Sequence, residues 1–392
     1  MSEYFEMDEI PTNLPVLKVL GLGGGGCNAV NRMIELGISG IEFLAANTDY
    51  QALQTSLADK KLQLGPDVTR GLGAGGNPEI GRQAAEESER EIAEALEGAD
   101  MVFLTAGMGG GTGTGSIPVA ARIARSMGAV TIAIVTTPFS FEMGRRQSNS
   151  NLGLAELVQH TDTLIAIPND RLLMVAPRDL PLEVAFRLAD EVLRQAVQGI
   201  TELITEPGMI NVDFAHIRRL MKIGGGAFMS IGHGKGLNKA RLAVDQALEH
   251  PLLEEISINQ AAGIIANFTG GEDLTLYEVS EVLNDLHSRV GDQAEIVFGI
   301  SNDERMLGRA QVILVITGLG APTLEEIMPG ISLKIEENSP LSQPPVHEPT
   351  PQTVEVSKPV EAVPAGIPQV IASDDLDIPA FLRRRSRTSS QN

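Results

Sequence analysis

The chain has 392 residues, of which 43% are hydrophobic, and this is enough to build two domains with substantial cores. Its 51 acidic residues outnumber the 30 basic ones and give a formal net charge of −21 at pH 7, which opposes approach to the nucleic-acid backbone or to an anionic membrane surface. The single cysteine, Cys27, cannot form an intramolecular disulfide, and no apolar run approaches the ~20 residues of a membrane span. We therefore expect a cytoplasmic protein that neither binds nucleic acid nor inserts directly into a membrane.

The first half of the chain alternates apolar strand patterns with helical ones. The first strand pattern, "VLKVLGLG" (16–23), runs into a cluster of glycines, and a helical pattern, "NAVNRMIELG" (28–37), follows it. Strands that are apolar throughout and alternate with helices indicate a parallel sheet covered on both faces. Further strands are predicted at 41–47, 101–107, 129–137 and 163–168, with a helix over 115–127.

A long helical pattern over 180–205 separates this part from a second one. Its apolar residues recur at spacings that form a single stripe, and Pro207 and Gly208 end it. The second part indicates a smaller α/β domain. Its predicted strands are 226–233, 261–270, 294–301 and 311–320, and its predicted helices lie near 237–249 and 274–289.

The end of the sequence has a different composition. Eight prolines fall between Pro340 and Pro368, no periodicity continues past Glu337, and such a segment is expected to stay extended and disordered. It leads to "DDLDIPAFLRRRSR" (374–387), which combines an acidic cluster, a small apolar patch and four arginines.

The first glycine cluster, "GLGGGG" (21–26), follows a predicted strand and opens a helix. It fits G-x-G-x-x-G, and Asp49 lies about where a dinucleotide-binding fold places its ribose-binding acid. By itself this match predicts an NAD-dependent oxidoreductase, although a glycine cluster after a strand can also be a simple tight turn.

A second glycine cluster, "GMGGGTGTGS" (107–116), changes that interpretation. It has the G-x-x-x-x-G spacing of a phosphate loop, but Ser116 stands where such a loop has lysine. Glycines beside Thr112 and Thr114 expose many backbone N–H groups at a helix N-terminus, where the helix dipole favours anions. A flexible linker would not lie between an apolar strand and an amphipathic helix, and two phosphate-facing loops exceed what an NAD fold needs.

These motifs resemble the FtsZ family of bacterial tubulin-like GTPases, whose signature G-G-G-T-G-[ST]-G is present at 109–115. The resemblance covers about 16–320 and returns at "LDIPAFLRRR" (376–385). It implies a Rossmann-like parallel-sheet GTPase domain, joined by a long central helix to a smaller α/β domain and followed by a disordered C-terminal tail. The expected parts are a flexible N-terminus (1–14), the GTP-binding domain (15–178), the central helix (179–205), an interface loop and helix (206–222), the C-terminal α/β domain (223–320), a linker (321–373) and a partner-binding peptide (374–392).

The resemblance also implies a phosphate site without lysine, in which backbone amides, the helix dipole and a bound Mg²⁺ supply the electrostatics. No protein ligand of that metal is assigned. The residues expected to wrap the phosphates are Gly24, Gly25, Gly26, Cys27 (through its backbone) and Asn28, together with the main cradle of Gly110, Gly111, Thr112, Gly113, Thr114 and Gly115.

The nucleoside is expected to lie against a separate group of residues. The resemblance places Glu142 and Arg146 on the ribose and phosphate side, and Asn169 and Asp190 at the guanine, with Phe186 stacking on the base. Phe186 and Asp190 are four residues apart on the long helix and therefore share a face. A carboxylate can accept from the N1–H and N2–H groups of guanine, which favours GTP over ATP. The alternative is that Asp190 is a solvated helix residue and Phe186 a core residue.

The expected catalytic loop is "EPGMINVDFA" (206–215), at the opposite end of the subunit from the nucleotide. Head-to-tail stacking would bring it onto the next subunit's γ-phosphate, where Asn211 and Asp213 would orient the attacking water and the metal. The family usually has a second Asp at position 216, and this chain has His216. His216 is either a tolerated helix residue, a neutral imidazole that orients the water, or the mark of a slow, copolymerising structural subunit.

These expectations define a cytoskeletal GTPase that uses GTP/GDP and Mg²⁺ and assembles with copies of itself into filaments and a contractile ring. The family resemblance further implies that peptide 374–392 binds membrane-anchoring and other division proteins. The expected location is the cytoplasm at the division site, in the Z ring.

Overall fold

The computed structural model describes residues 14–142, 144–175, 177, 179–205, 212–224, 226–249, 258, 261–291 and 294–319. Several predicted features lie outside the described residues. They are the N-terminus up to residue 13, the helix-ending Pro207 and Gly208, the candidate catalytic Asn211, the linker and the C-terminal peptide.

Six strands form the parallel part of the sheet, in the spatial order β3-β2-β1-β4-β5-β6. This order reverses direction between β1 and β4, and ligands of such sheets bind at that point, beyond the carboxyl ends of the strands. The glycine clusters follow β1 and β4 directly. The strands are β1 (Leu17–Leu22), β2 (Glu42–Asn47), β3 (Lys60–Gln63), β4 (Met101–Gly107), β5 (Val130–Thr137) and β6 (Thr163–Pro168).

Eight helices connect or follow these strands. Two begin within the glycine clusters, earlier than the sequence pattern predicted, because the first-turn N–H groups of a helix need no partner inside it. The helices are α1 (Gly23–Glu35), α2 (Tyr50–Gln54), α3 (Pro66–Thr69), α4 (Pro78–Glu87), α5 (Glu89–Leu96), α6 (Thr112–Ser126), α7 (Arg145–His160) and α8 (Asn169–Val175).

Helix α9 (Leu182–Thr205) is the predicted long helix, and the shorter α10 (Phe214–Met221) follows it. The predicted apolar stripe of α9 is buried at Val192, Leu193, Ala196 and Ile200, whereas Phe186 near its start is 39% exposed. At 1.5 Å per residue α9 is about 36 Å long, so its two ends lie far apart.

The second part adds four strands, and all four predicted ones are present. They continue the same sheet in the order β7-β10-β8-β9, because β7 pairs in parallel with β6 through Leu164–Gly226 and Ile165–Ala227. Strand β10 is antiparallel to both β7 and β8, and β8 is parallel to β9. The elements are β7 (Gly226–Lys235), α11 (Lys239–Leu248), β8 (Gly263–Gly270), α12 (Leu276–Val290), β9 (Glu295–Asn302), a 3-10 turn (Glu304–Met306) and β10 (Arg309–Leu319).

Apolar side chains fill both halves of this sheet. The central strands β1, β4 and β5 are buried along nearly their whole length, as expected for strands with helices on both faces. A second cluster, which includes Phe268, Val279 and Leu314, joins α11 and α12 to the β8–β10 face. No helix among the described residues is long and apolar enough to cross a membrane.

Candidate functional site

The two glycine clusters meet at the carboxyl ends of β1 and β4. A Cβ atom built on Gly23 would lie 2.7 Å from the backbone nitrogen of Gly113, and one built on Gly25 would lie 3.1 Å from the nitrogen of Gly107. Only backbone without side chains can approach this closely. The N-termini of α1 and α6 therefore lie against each other, and both helix dipoles direct their positive ends to one place.

The glycines of these loops have two different roles. Gly26, Gly111 and Gly115 are packed, since an added Cβ would overlap or crowd Thr105, Asn77 and Pro78 respectively. Gly24 and Gly110 have no protein atom within 4 Å of the added Cβ. Nothing within the protein therefore requires glycine at these two positions.

Backbone N–H groups of the second loop are available to an anion. Gly109 donates its N–H to Thr114 Oγ1 at 2.8 Å, and Gly115 donates to the Gly111 carbonyl at 3.0 Å. Between them, the N–H groups of 110–113 have no acceptor among the described residues. This run of free donors at a helix N-terminus is the arrangement that holds phosphate groups.

The hydroxyl groups of this loop differ in their availability. Thr114 is 1% exposed and its oxygen already accepts from Gly109, so its hydroxyl closes the loop. The Thr112 hydroxyl lies 2.6 Å from that of Thr48 and is partly exposed. Ser116, in the position of the missing lysine, is fully buried and donates to the Thr112 carbonyl at 2.7 Å. No side chain from position 116 reaches the mouth of the loop, and the cradle consists of backbone donors.

Residues 71–77 and Asn149 complete the cradle, although the sequence analysis assigned them no role. Asn149 Nδ2 donates to the carbonyls of Gly76 at 3.2 Å and Gly109 at 3.3 Å, and thereby joins the 71–77 loop to the phosphate loop. Ala74 packs against Gly111. The glycine-rich sequence "GLGAGGNPE" (71–79) is the feature from which a close backbone contact could have been predicted.

Cys27 and Asn28 lie in the second turn of α1, and one is buried while the other is exposed. Asn28 is exposed, whereas Cys27 is buried and its Sγ lies 3.8 Å from the carbonyl oxygens of Gly21 and Ala46. Burial raises the pKa of the Cys27 thiol to about 12. The thiol is therefore protonated and buried, and it does not offer a thiolate to a ligand.

Asp49 does not have the environment of a ribose-binding acid. Its Oδ1 accepts from Ala52 N at 3.0 Å and caps α2, and the residue bridges to Leu72 in the 71–77 loop. An N-cap is a sufficient structural reason for this aspartate.

A pocket lined by aromatic rings lies beside the cradle. Phe139 is 1% exposed, with Phe141 stacked on it at 4.9 Å and Phe186 edge-on to it at 5.5 Å. Phe141 and Phe186 are 49% and 39% exposed, an unusual degree for packed aromatic residues and one that leaves ring surface free for a flat ligand.

The two polar side chains expected at the base have no hydrogen-bond partner among the described residues. Asn169 begins α8 and is 5% exposed, and its Oδ1 is buried without a partner. Burial raises the pKa of the Asp190 carboxyl to about 7, against the opposing effect of the positive charges of Arg32 and Arg187. Buried polar groups normally have partners, so these two groups are suited to a ligand that brings its own donors.

Glu142 and Arg146 lie at the edge between the cradle and this pocket. They form an ion pair with each other, and Glu142 Oε1 also accepts from Phe139 N at 3.0 Å. Arg146 packs its backbone against Gly109 and keeps its side chain 57% exposed. Arg146 therefore starts beside the glycine loop and keeps a solvent-exposed cationic side chain.

Asp213 and His216 lie at the amino ends of the parallel strands, opposite the glycine loops. Thr163, the first residue of β6, donates its hydroxyl to the Met221 carbonyl at the end of α10, at 2.6 Å. Thr205, the last residue of α9, packs on Gly40, just before β2 begins. Both contacts are at the amino ends of the strands, whereas the glycine loops are at the carboxyl ends.

Asp213 is the N-cap of α10, with Oδ1 accepting from Ala215 N at 2.9 Å, and both Asp213 and His216 are exposed. The structure thus places the residues expected at the phosphates and the base at the carboxyl ends of the strands, and these two at the amino ends. Asn211, the third candidate in this loop, lies outside the described residues.

Comparison with known proteins gives two family matches. The GTPase domain of the Tubulin/FtsZ family matches residues 16–177, and the C-terminal domain of the FtsZ family matches residues 225–320. A structure of an empty FtsZ dimer from M. jannaschii is 45% identical, with a TM-score of 0.77 over 84% of this chain and 95% of that one. A point mutant of M. jannaschii FtsZ is 47% identical, with a TM-score of 0.76 over 79% of this chain and 92% of that one.

A more distant likeness shows the fold alone. CetZ2 from Haloferax volcanii, in a GTPγS-bound protofilament, is 19% identical with a TM-score of 0.68 over 80% of this chain and 96% of that one. The family matches and the identity to M. jannaschii FtsZ cover most of this chain, including both halves of its sheet. The chain therefore belongs to the FtsZ family of tubulin-like GTPases.

Proposed function

We propose that this chain binds GTP, assembles head-to-tail with copies of itself, and hydrolyses GTP at the junction between successive subunits. One observation carries the proposal. The free N–H groups and the aromatic pocket lie at the carboxyl edge of the parallel strands, and Asp213 lies at the amino edge. Neither edge is a complete active site, and stacking one subunit's amino edge on the next subunit's carboxyl edge would complete it.

The carboxyl edge suits a guanine nucleotide. Backbone donors of the second glycine loop would hold the phosphates, and Thr112 offers one accessible hydroxyl. Asp190 would accept from N1–H and N2–H of guanine, and Asn169 would contact the same base while Phe186 covers its face. Adenine has no matching pair of donors for the carboxylate, so the pocket favours GTP over ATP.

Assembly into filaments is supported by the assembled states of two proteins with this fold. M. jannaschii FtsZ is described as a dimer, and CetZ2 as a protofilament with bound GTPγS. The chain's amino edge presents Asp213 and His216 to solvent. We infer that Asp213, with Asn211, orients the attacking water against the neighbouring γ-phosphate, because phosphoryl transfer depends mainly on positioning and charge.

Magnesium fits this site as a partner of the nucleotide. Within the described ranges, no three His, Cys, Asp or Glu side chains come together to form a metal site. Mg²⁺ in nucleotide sites keeps several waters and is held mainly by phosphate oxygens with one or two protein ligands. The ion would neutralise charge on the phosphates in place of the lysine that position 116 lacks.

We further propose that the filaments act in cell division. The family resemblance of peptide 374–392 supports its binding to membrane-anchoring and other division proteins, and the site of action would be the Z ring in the cytoplasm. Residues 321–373 would serve as the spacer between the polymerising body and this peptide.

The shared active site is tested by a matched pair of substitutions, Asp213→Asn and Asp213→Ala. Asparagine caps a helix as well as aspartate does, so Asp213→Asn removes only the charge, whereas Asp213→Ala also removes the cap and destabilises α10 by about 1 kcal/mol. We expect both variants to bind GTP normally and to lose about 10²-fold or more in turnover per sedimented subunit.

Binding is measured with a fluorescent GTP analogue on unassembled protein, and turnover by phosphate release alongside sedimentation. If Asp213→Asn weakens GTP binding as much as it slows turnover, the residue acts in its own subunit's pocket and the shared site is wrong. If turnover is unchanged in both variants, Asp213 only caps α10.

A further inference from the structure

Thr48 carries a buried hydroxyl group beside the phosphate loop, and the proposed function gives it no role. The residue follows β2 directly and is 0% exposed. Its Oγ1 lies 2.6 Å from Thr112 Oγ1, and either hydroxyl can be the donor. No other group among the described residues forms a hydrogen bond with the Thr48 hydroxyl. The contact between these two hydroxyls is therefore the one polar contact that the Thr48 side chain makes within the described part of the chain.

The backbone of Thr48 is held independently of its hydroxyl. Its carbonyl accepts from Gly73 N at 3.2 Å and from Thr69 Oγ1 at 3.3 Å. The next residue, Asp49, caps α2 and forms a bridge with Leu72. These contacts fix the position of Thr48 Oγ1, and they do not depend on the hydroxyl group. The hydroxyl is thus available for a role other than holding the end of β2 in place.

The two hydroxyls differ in their access to a ligand. Thr112 is the first residue of α6 and is partly exposed at the phosphate loop, whereas Thr48 is closed off from solvent. A ligand at the loop can therefore contact the hydroxyl of Thr112 but not that of Thr48. Any effect of the Thr48 hydroxyl on a nucleotide must pass through Thr112.

A phosphate bound at Thr112 would determine the direction of this hydrogen bond. Ionised phosphate oxygens accept hydrogen bonds and donate none, and a threonine hydroxyl has a single proton to donate. If that proton of Thr112 goes to the phosphate, its oxygen remains as an acceptor, and Thr48 must be the donor. A hydroxyl that accepts one hydrogen bond is also a stronger donor of another. The direction set by the phosphate therefore strengthens the contact with the phosphate.

We propose that Thr48 is a positioning residue for nucleotide binding: its hydroxyl donates to Thr112 Oγ1 and thereby directs the Thr112 O–H to a phosphate oxygen of GTP. The inference rests on the proposed function, because it requires Thr112 to contact the nucleotide. Without the donor from Thr48, the Thr112 hydroxyl would rotate among several orientations, and binding would have to select one of them. Thr48 thus contributes to phosphate recognition without touching the ligand.

The test is a double-mutant cycle on GTP affinity, measured with a fluorescent GTP analogue on the unassembled full chain. Thr48→Val and Thr112→Val each replace a hydroxyl by a methyl group. We expect Thr48→Val to weaken GTP binding about fivefold and Thr112→Val about tenfold or more. Thr48→Ser keeps the hydroxyl and should bind GTP like the parent. In a chain that already carries Thr112→Val, adding Thr48→Val should have no further effect on affinity, because its route to the nucleotide is then absent.

Thr131→Val is the matched control for the loss of a buried hydroxyl. Thr131 is also fully buried in the parallel part of the sheet, and its Oγ1 donates to the Ala129 carbonyl at 3.3 Å, at the amino end of β5. Urea unfolding without nucleotide measures the stability of every variant. Thr131→Val should lower the unfolding midpoint and leave the GTP affinity unchanged, which separates a loss of stability from a loss of positioning.

Equal GTP affinities of the parent and Thr48→Val would overturn the proposal. So would a loss that Thr48→Ser does not restore, that keeps its full size in the Thr112→Val chain, or that Thr131→Val reproduces. If Thr112→Val binds GTP as tightly as the parent, the pair of hydroxyls has no contact with the nucleotide, and this inference is wrong while GTP binding stands. If the parent itself does not bind GTP, the proposed function is wrong as well.

Discussion

Asp190 is the candidate-site residue whose chemistry depends most strongly on its surroundings. Burial raises the pKa of its carboxyl to about 7, and only the ionised form can accept two hydrogen bonds from guanine. Below pH 7 a proton therefore competes with GTP. We expect the Kd for GTP to be constant above pH ~7.5 and to rise about tenfold for each pH unit below the pKa. Titrations with a fluorescent GTP analogue between pH 5.5 and 8 measure this dependence.

The matched control for Asp190 is Asp190→Asn, which cannot titrate. We expect its GTP affinity to be independent of pH over that range and weaker than that of the parent by about 2 kcal/mol or more at pH 8, with reduced discrimination against ATP. A parent and an Asn variant with the same pH profile would show that Asp190 does not contact the base.

His216 stands where the family resemblance implied a second Asp, and its position gives a sharp test. It is exposed at the start of α10, and its backbone N–H donates to the Asp213 carbonyl at 2.9 Å. If position 216 meets the neighbouring phosphate, His216→Asp should raise turnover per sedimented subunit about tenfold, because a carboxylate orients water and metal better than imidazole. His216→Ala should lower it.

Filament mass must be measured in the same samples, since a change in assembly alone would mimic a change in rate. Equal rates per sedimented subunit for His216, Asp and Ala at this position would make it a structural residue, and Asp213 would then act without a second side chain from α10.

The sequence assigns roles to single residues but does not indicate which side chains contact each other. Phe186 and Asp190 share a face of α9 because they are four residues apart, and their contact with a base stays a prediction. The hydrogen bonds of Asn149 join segments that are 73 and 40 residues apart in the chain. No local pattern reports such contacts.

The phosphate loop is an element in which some glycines serve packing and others serve the ligand. A Cβ on Gly115 would overlap the Pro78 carbonyl and lie 2.6 Å from Arg82 N, so Gly115→Ala should lower the free energy of unfolding by about 1–3 kcal/mol. Gly110 has open space around it, so Gly110→Ala should leave stability unchanged. The added methyl group would project toward the phosphates and weaken GTP binding about tenfold.

Urea unfolding without nucleotide and GTP titration separate these two effects. A Gly110→Ala chain that is destabilised but binds GTP normally would reverse the assignment of roles. An unchanged unfolding midpoint in Gly115→Ala would show that α4 can move away from α6.

Element prediction succeeded for the buried strands and for five helices, but it made no assignment between residues 47 and 101 or for α7 and α8. The sequence of β3, "KKLQ", lacks an apolar run because the strand is at the sheet edge and is half exposed. Helices α4 and α5 are short and rich in Glu and Ala, yet Ile92, Ala95 and Leu96 form a buried stripe on α5. The apolar spacing of α5 could have predicted that helix, whereas no pattern in the sequence of β3 indicates a strand.

At the scale of the whole molecule, α9 and the continuous sheet would hold the two proposed half-sites at a fixed separation. The aromatic pocket lies at one end of a helix about 36 Å long, and the loop that carries Asp213 follows its other end. Hydrogen bonds between β6 and β7 join the two halves of the sheet directly, a pairing that no sequence pattern indicated. A rigid spacing of this kind suits repeated head-to-tail stacking.

The C-terminal peptide belongs to this scale as well, because we propose that it links a filament to its partners without taking part in assembly. Removing 374–392 should leave GTP-dependent sedimentation and turnover unchanged and abolish recruitment of division proteins to filaments. The physical reason is length: a flexible linker as long as 340–368, which has 29 residues, would span about 30 Å, enough to keep a terminal peptide accessible beside a polymer.

Two further variants separate the peptide from the spacer. Scrambling 340–368 with its composition kept should preserve recruitment, because a spacer depends on length and composition and not on order. Phe381→Ala in the full chain should lose recruitment, since the apolar patch is too small to bind without its ring. Cells expressing a fluorescent copy report recruitment, and sedimentation with GTP reports assembly. If the truncated chain fails to sediment, the peptide is part of the contact between subunits. Our proposal that the peptide takes no part in assembly would then be wrong.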